Sequence, residues 1–368
     1  MLIVTVQMEV MMKELKKILE RAVEEQVSDI FIVAGRSVSV RKQGVIAQLD
    51  EESLSPSDTE ALVKEIYRCA NGRDISQLET RGDDDFSFTQ AGLSRFRVSA
   101  YRQRGALSAV IRVITFELPK AAQIGVPDYI FSLCDAGKGM VLVTGPAGSG
   151  KSTTLACMVD RINTTQKKHV ITLEDPLEYL HKHDQSIVTQ REISTDTVSY
   201  VAALRAALRQ SPDVILLGEM RDYETINVAM TAAETGHLVI ATMHTRGAVN
   251  AIDRIIDVFP GSQQEQVRAQ LSMVLDTVVS QQLLGGTKGR LVPAFEIMRM
   301  NSAVRGLIRD NKTYQINNVI AAGSGEGMMT MDQSLLSLFR SGEITEETAV
   351  NAADSPEQMR RKIGQIAT

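Results

Sequence analysis

The sequence predicts an α/β protein: a three-layer α/β domain with a parallel sheet, preceded by a smaller α+β domain. Three observations carry this. Four near-continuous apolar runs, at 140–144, 170–173, 214–218 and 238–242, are far enough apart for helical crossovers. Parallel strands buried on both faces read in this way. Ahead of them, residues 86–88, 94–101 and 107–114 alternate apolar and polar positions, the period of antiparallel strands. Finally, the chain has 368 residues, more than the roughly 250–300 at which a single core stops growing.

The elements follow in order. Over residues 10–27, Leu15, Ile18, Leu19, Ala22 and Val23 fall on one helical face. Ser28-Asp29 then stops the helix. Short β-like runs come next at 30–33, 37–41 and 45–49, punctuated by Gly35 and Gly44. Ser55-Pro56-Ser57-Asp58 opens a second helix, with proline near its start and Glu60 in its first turn. Leu118-Pro119-Lys120 and Gly125-Val126-Pro127 mark a linker. The expected division is a domain at 1–115, a linker at 116–126 and a second domain at 127–368. Gly323-Ser-Gly-Glu-Gly327 is the one low-complexity patch and is expected to be a mobile loop.

Hydrophobic residues make up 43% and charged residues 23% of the chain, the balance of a soluble globular protein. Tryptophan is absent, so the cores must rest on Leu, Ile, Val, Met and Ala. A formal net charge of −5 argues against nonspecific nucleic-acid binding, and no nucleic acid is expected as a partner. Cys69, Cys134 and Cys157 are odd in number and form no CxxC pair, so buried thiols in a reducing compartment are expected. No apolar run reaches the roughly 18–20 residues that span a bilayer. The start of the chain is apolar but carries Glu9 and no basic segment, unlike a signal peptide. The expected location is the cytoplasm, peripheral at the inner face of the membrane.

Gly145-Pro146-Ala147-Gly148-Ser149-Gly150-Lys151-Ser152 lies between a predicted strand and a predicted helix, and Thr153 follows it. That context makes it a P-loop. Its backbone N–H groups and the helix N-terminus would cradle phosphates. Lys151 would reach the β- and γ-phosphates, and the Ser152 hydroxyl would ligate Mg²⁺. Glu174, Asp175 and Glu178 end the second buried strand. Ligands of open parallel sheets collect there, so these acids read as groups that orient water or support the metal, or else as a solvated loop. Glu219 ends the third buried strand, after 213–218, as the acid that supports the Mg²⁺ site. Arg221 follows as a local ion-pair partner. His237 and His244 bracket the fourth strand. His244 occupies the position of a γ-phosphate sensor, while His237 reads more simply as structure. Arg95, Arg97, Arg102, Arg104 and Arg112 crowd the last strands of the first domain, either as cations for a transferring phosphoryl group or as a polar sheet face.

At these positions the sequence resembles the secretion ATPase superfamily and, within it, the type IV pilus retraction ATPases. The resemblance runs over nearly the whole chain and is densest at GPAGSGKSTT, LEDPLEY, DVILLGEMRDYET, TAAETGHLVIATMHT and IDRIIDVFP. It implies an α/β architecture with a RecA-like P-loop core and a smaller PAS-like N-terminal domain. By resemblance, Gly145–Thr153 is the Walker A motif, and Glu174, Asp175 and Glu178 form the acidic box. Glu178 matches the catalytic base, Glu219 the Walker B acid, and His237 with His244 the histidine box. Arg95, Arg97 and Arg112 match the arginine-bearing N-terminal strands, and residues 303–312 the C-terminal segment linked to retraction. Phe31 stands where the family commonly has histidine, and Val304-Arg305-Gly306 where it has Ile-Arg-Asn.

The implied function is hydrolysis of ATP with Mg²⁺ by a homohexamer ring, driving pilus retraction through an inner-membrane platform protein. Pilus-extension and type II secretion ATPases are the alternative. They carry a longer N-terminal region and usually a four-cysteine zinc insert. A DNA-stimulated RecA-like ATPase would need basic and aromatic stacking surfaces, and a non-catalytic nucleotide-binding regulator would lack the acids present here.

Overall fold

The computed structural model describes residues 15–42, 44–114, 118–119 and 124–365. They divide into two compact units, one within Met1–Glu117 and one within Leu118–Thr368.

In the first unit a helix covers residues 15–24, and Gln26, at φ 55°, follows its end. Residues 10–14 of the expected helix lie outside the described residues. Six strands follow: β1 (Asp29–Ile32), β2 (Ser39–Lys42), β3 (Val45–Gln48), β4 (Asp83–Gln90), β5 (Ser94–Gln103) and β6 (Ala106–Ile114). They form one antiparallel sheet in the order β3-β2-β1-β6-β5-β4. The helix Pro56–Cys69 starts with a complete capping box between Ser55 and Asp58. Period-two alternation then divides β5. Phe96, Val98 and Ala100 enter the core with Leu15, Leu62 and Ile66, while Arg97 and Ser99 are exposed. Buried Asp84 accepts hydrogen bonds from Tyr67 Oη at 2.8 Å and from Arg73 Nε and Nη2 at 2.9 and 2.8 Å. One carboxylate thus joins a helix, a loop and a strand.

The second unit contains seven strands: β7 (Gly139–Thr144), β8 (His169–Glu174), β9 (Ile187–Glu192), β10 (Val214–Leu217), β11 (Leu238–Met243), β12 (Leu275–Gly285) and β13 (Leu291–Arg299). The sheet order is β13-β12-β7-β11-β10-β8-β9, parallel except for β13. The four runs read from sequence are β7, β8, β10 and β11. Each feeds both cores: Leu142, Ile171, Ile215 and Val239 face one helical layer, and Val141, Val170, Leu216 and Ile240 face the other. This is the three-layer arrangement. β9 and β12 escaped a reading based on apolar runs for a physical reason. β9 is a half-exposed edge, and β12 buries Thr277, Ser280 and Gln281 among its apolar residues.

Because the strands are parallel and in register, Thr144 pairs with Met243, and Leu217 with both Leu173 and Ala241. The loops after β7, β8, β10 and β11 therefore emerge at one edge. Beyond β13 the chain is helical at Ser302–Arg309, Ile316–Ala322, Met331–Arg340, Glu346–Ala352 and Pro356–Gly364. The expected loop at 323–327 is instead a single 3₁₀ turn, Gly323–Glu326, ended by left-handed Gly327. Met328 N donates back to Gly323 O at 3.1 Å. A Cβ at Gly323 would lie 2.8 Å from Met328 Sδ, so packing explains that glycine. Cys134 and Cys157 are buried, Cys69 is half-buried, and all three are free thiols. No helix among the described residues is long and apolar enough to cross a membrane.

Candidate active site

β7 ends at Thr144, and Gly145 turns the chain at φ 144°, a conformation open to glycine. A Cβ there would lie 2.2 Å from Gln281 O and 2.7 Å from Ser149 Oγ. Gly150, at φ 86°, immediately precedes the helix Lys151–Thr165, and a Cβ on it would meet Gln281 Nε2 at 2.9 Å. Gln281 also accepts from Thr154 Oγ1 at 2.8 Å. A single glutamine of β12 therefore lies under both ends of the loop, and Gly145 and Gly150 are the glycines that allow the approach.

Lys151 Nζ donates to Gly145 O and Pro146 O, both at 2.8 Å, and the residue is only 8% exposed. Burial pushes its pKa below the ordinary lysine value, while the charges of Glu178 and Glu219 pull it back. Ser152 and Thr153 begin the helix. Thr153 Oγ1 lies 2.9 Å from Tyr179 Oη on the acidic loop.

That loop leaves β8 at Glu174 through a cis Asp175–Pro176 peptide. It is pinned to β9 in three places. Leu177 N donates to Glu192 Oε2 at 3.1 Å, Gln190 Nε2 donates to Tyr179 O at 2.9 Å, and His181 N donates to Gln190 Oε1 at 2.8 Å. The edge strand missing from the sequence reading is thus what holds the acidic box in shape. Glu174 accepts from Thr172 Oγ1 at 2.7 Å and from Gln190 Nε2 at 3.5 Å. Burial nevertheless pushes its carboxyl up to about 7.

This has a consequence for stability. A folded-state pKa above the ordinary value of 4.5 means that the native state holds the extra proton. Glu174's stabilising contribution is complete below pH 4.5 and is lost as pH climbs to about 7. Glu174→Gln keeps an acceptor for Thr172 and removes the titration. Thermal melting should show little difference between variant and wild type at pH 5 and a clear advantage for the variant at pH 8. An advantage that does not grow with pH would mean that Glu174 titrates as an ordinary carboxyl.

After β10, Gly218 N donates to Leu173 O at 2.7 Å, and Thr242 Oγ1 donates to Gly218 O. Glu219 Oε2 lies 2.6 Å from Arg221 Nε and 3.3 Å from His244 Nε2. The pairing of Arg221 expected from sequence is therefore with Glu219. His244 is placed by the turn that follows β11: Gly247 N donates to Ser280 Oγ at 2.9 Å, and Ala248 N to the buried carboxylate Glu296 Oε1 at 2.7 Å.

These groups share one cavity of about 530 Å³, whose walls include Gly148, Lys151, Ser152, Glu178, Glu219 and His244. The volume falls within the range of small-molecule and cofactor sites. Of the residues singled out from sequence, Ala147 to Thr153, Glu174, Asp175, Glu178, Glu219 and His244 all line it. His237 does not. It lies at the opposite end of β11, roughly 23 Å from His244 at about 3.3 Å per residue, and its Nδ1 is 3.0 Å from Ala232 O. It bridges a helix end to a strand start, away from the walls of this cavity. Arg95, Arg97 and Arg112 belong to the first unit. There, Arg97 and Arg112 are paired across β5 and β6, Arg112 Nε donates to Asp29 Oδ1 at 3.1 Å, and Arg95 Nη1 donates to Thr89 Oγ1 at 3.2 Å. Sequence reasoning passed over Gln281, Gln190, Tyr200 and Glu296. The legible signal was a polar residue inside an otherwise apolar strand, as at Glu296.

The profile of a family described as "Type II/IV secretion system protein" matches residues 5–291. The chain belongs to that family. The matched span of this secretion ATPase contains the P-loop, the acids Glu174, Asp175, Glu178 and Glu219, and both His237 and His244. The chain is 41% identical over 345 residues to the "Type IV pilus retractation ATPase PilT" of Pseudomonas aeruginosa, covering 94% of this chain and 99% of that one. It is 49% identical over 321 residues to a "Twitching motility protein" of Neisseria gonorrhoeae, covering 87% and 85%. Among solved structures, one titled "Crystal Structure of the Pilus Retraction Motor PilT and Bound ADP" superposes with a TM-score of 0.86 at 45% identity, covering 94% of this chain and 98% of that one. The fold of this secretion ATPase is thus shared along nearly its full length.

Proposed function

We propose that this secretion ATPase hydrolyses ATP with Mg²⁺ in the cavity around Lys151 and, as a ring hexamer, drives type IV pilus retraction. The observation that carries the chemistry is the convergence of Lys151, Glu178 and Glu219 on one cavity at the carboxyl ends of parallel strands. Kinship to a pilus retraction ATPase over 94% of the chain supports the retraction reading. We further assign residues 1–115 to a PAS-like domain, 116–126 to a linker and 127–368 to the RecA-like core with its helical C-terminal region. An inner-membrane platform protein is the proposed partner, with the ring at the cytoplasmic face.

In this reading the loop N–H groups and the start of the helix Lys151–Thr165 bind the β- and γ-phosphates. Lys151 exchanges the carbonyls of Gly145 and Pro146 for phosphate oxygens. Glu178 accepts a proton from water as the water oxygen bonds to the γ-phosphorus. The bond from phosphorus to the bridging oxygen then breaks, and its electron pair leaves with ADP. Glu219 holds His244 and Arg221 at the phosphate end.

The donors suit Mg²⁺. Ser152 and Glu219 offer hard oxygens, and among the described residues no cluster of three acidic, histidine or cysteine side chains would hold an ion without a nucleotide. Bound with ATP, the ion would neutralise charge on the β- and γ-oxygens. Arg95, Arg97 and Arg112 are the cations proposed to reach a nucleotide, from the same or a neighbouring chain.

Deleting the gene and imaging pili tests the physiological claim. Hyperpiliated cells that cannot retract are expected, and bald cells would point to assembly instead.

A further inference from the structure

Tyr200 is the first residue of the helix Tyr200–Ala207. Ser199 caps this helix, its side chain accepting from Ala202 N at 3.2 Å. The tyrosine ring packs against the core that lies below β8, β10 and β11, and the hydroxyl reaches over Gly218. The approach is close: a Cβ on Gly218 would lie 2.9 Å from Tyr200 Oη. Gly218 is thus the residue that admits this phenol to the cavity, whose walls include Glu174, Asp175, Glu178 and Glu219.

Oη is buried and has no hydrogen-bond partner among the described residues. Leaving a buried hydroxyl unpaired is costly, and such groups call for a functional explanation. Burial, with Glu219, Asp175 and Glu174 adding to it, pushes the phenol well above its ordinary pKa. It therefore remains an O–H donor at any physiological pH.

We infer that Tyr200 is a further catalytic residue of this site, its O–H donating to an oxygen of the phosphoryl group being transferred. This rests on the proposed hydrolysis at Lys151 and Glu178. Among the species that hydrolysis brings into the cavity, phosphoryl oxygens only accept, which matches a phenol that keeps its proton and has no acceptor here. The attacking water is the poorer partner, because a donor bound to its oxygen would draw electron density from the lone pair that attacks phosphorus. Charge on the phosphoryl oxygens redistributes in the transition state, and a pre-positioned donor strengthens there without reorganising.

Tyr200→Phe tests this, since it removes one oxygen and keeps the packing. Without nucleotide, the variant should melt at or above the wild-type temperature, because the lost hydroxyl bonds to nothing there. Steady-state kinetics should show kcat lowered about 10-fold or more with KM for ATP nearly unchanged. Affinity for ADP with aluminium fluoride should fall by a similar factor while affinity for ADP alone holds. Unchanged kcat and unchanged analogue affinity would overturn the inference. So would a raised KM at wild-type kcat, which would make the phenol a ground-state contact only. Lys151→Ala and Glu178→Gln run alongside separate the two claims. If both turn over normally, the assignment of the site fails. If both are inactive and Tyr200→Phe is normal, only the role of Tyr200 fails.

Discussion

Glu178→Gln is expected to lower kcat for ATP hydrolysis by about 10²–10⁴-fold, the span of a lost general base, with ADP affinity nearly unchanged. The substitution keeps the size and shape of the side chain and removes its capacity to accept a proton. It should not disturb the loop, because the loop's shape depends on other residues: Leu177 N is held by Glu192, and Tyr179 O and His181 N by Gln190. Single-turnover hydrolysis together with titration of a fluorescent ADP analogue checks both halves. A variant that turned over at the wild-type rate would remove Glu178 from the mechanism. A variant that lost ADP binding would make it a structural residue of the loop.

The second large effect is expected at Gly145. Gly145→Ala should weaken nucleotide binding by more than about 100-fold, equivalent to roughly 2.7 kcal/mol. Two penalties coincide there. The residue sits at φ 144°, and the new Cβ would fall 2.2 Å from the carbonyl oxygen of Gln281, a backbone atom in mid-strand that cannot step aside. Gly148 is the internal control. It also has positive φ, at 76°, but a Cβ there meets nothing within 4 Å. Gly148→Ala should therefore carry only the backbone strain of about 1–2 kcal/mol. Calorimetric titration with ADP ranks the two. Equal losses would show that strain alone matters and that the seating on Gln281 does not.

Much of the molecule is legible in the sequence. The apolar runs of β7, β8, β10 and β11 carry their own signature, since a strand covered on both faces has little room for polar side chains. The P-loop is equally local, because glycine spacing and the lysine that follows are set by how backbone wraps phosphate. The acids Glu174, Glu178 and Glu219 were found by their places just beyond buried strands, and parallel register then brought them together. His237 shows where such reading stops. It stands in the same short motif as His244, yet one strand length puts it at the other end of the sheet.

What the sequence determined by itself was therefore chemistry carried by short segments: the phosphate loop, the acids at strand ends and the order of buried strands. Only the tertiary structure decided what supports them. Gln281 under Gly145 and Gly150, Gln190 and Glu192 behind the acidic loop, Glu296 at the turn after His244, and Tyr200 over Gly218 all act on another element of the fold. A side chain's partner on another element is set by sheet order and register, which arise from packing the whole chain and leave no periodic trace around the residue itself.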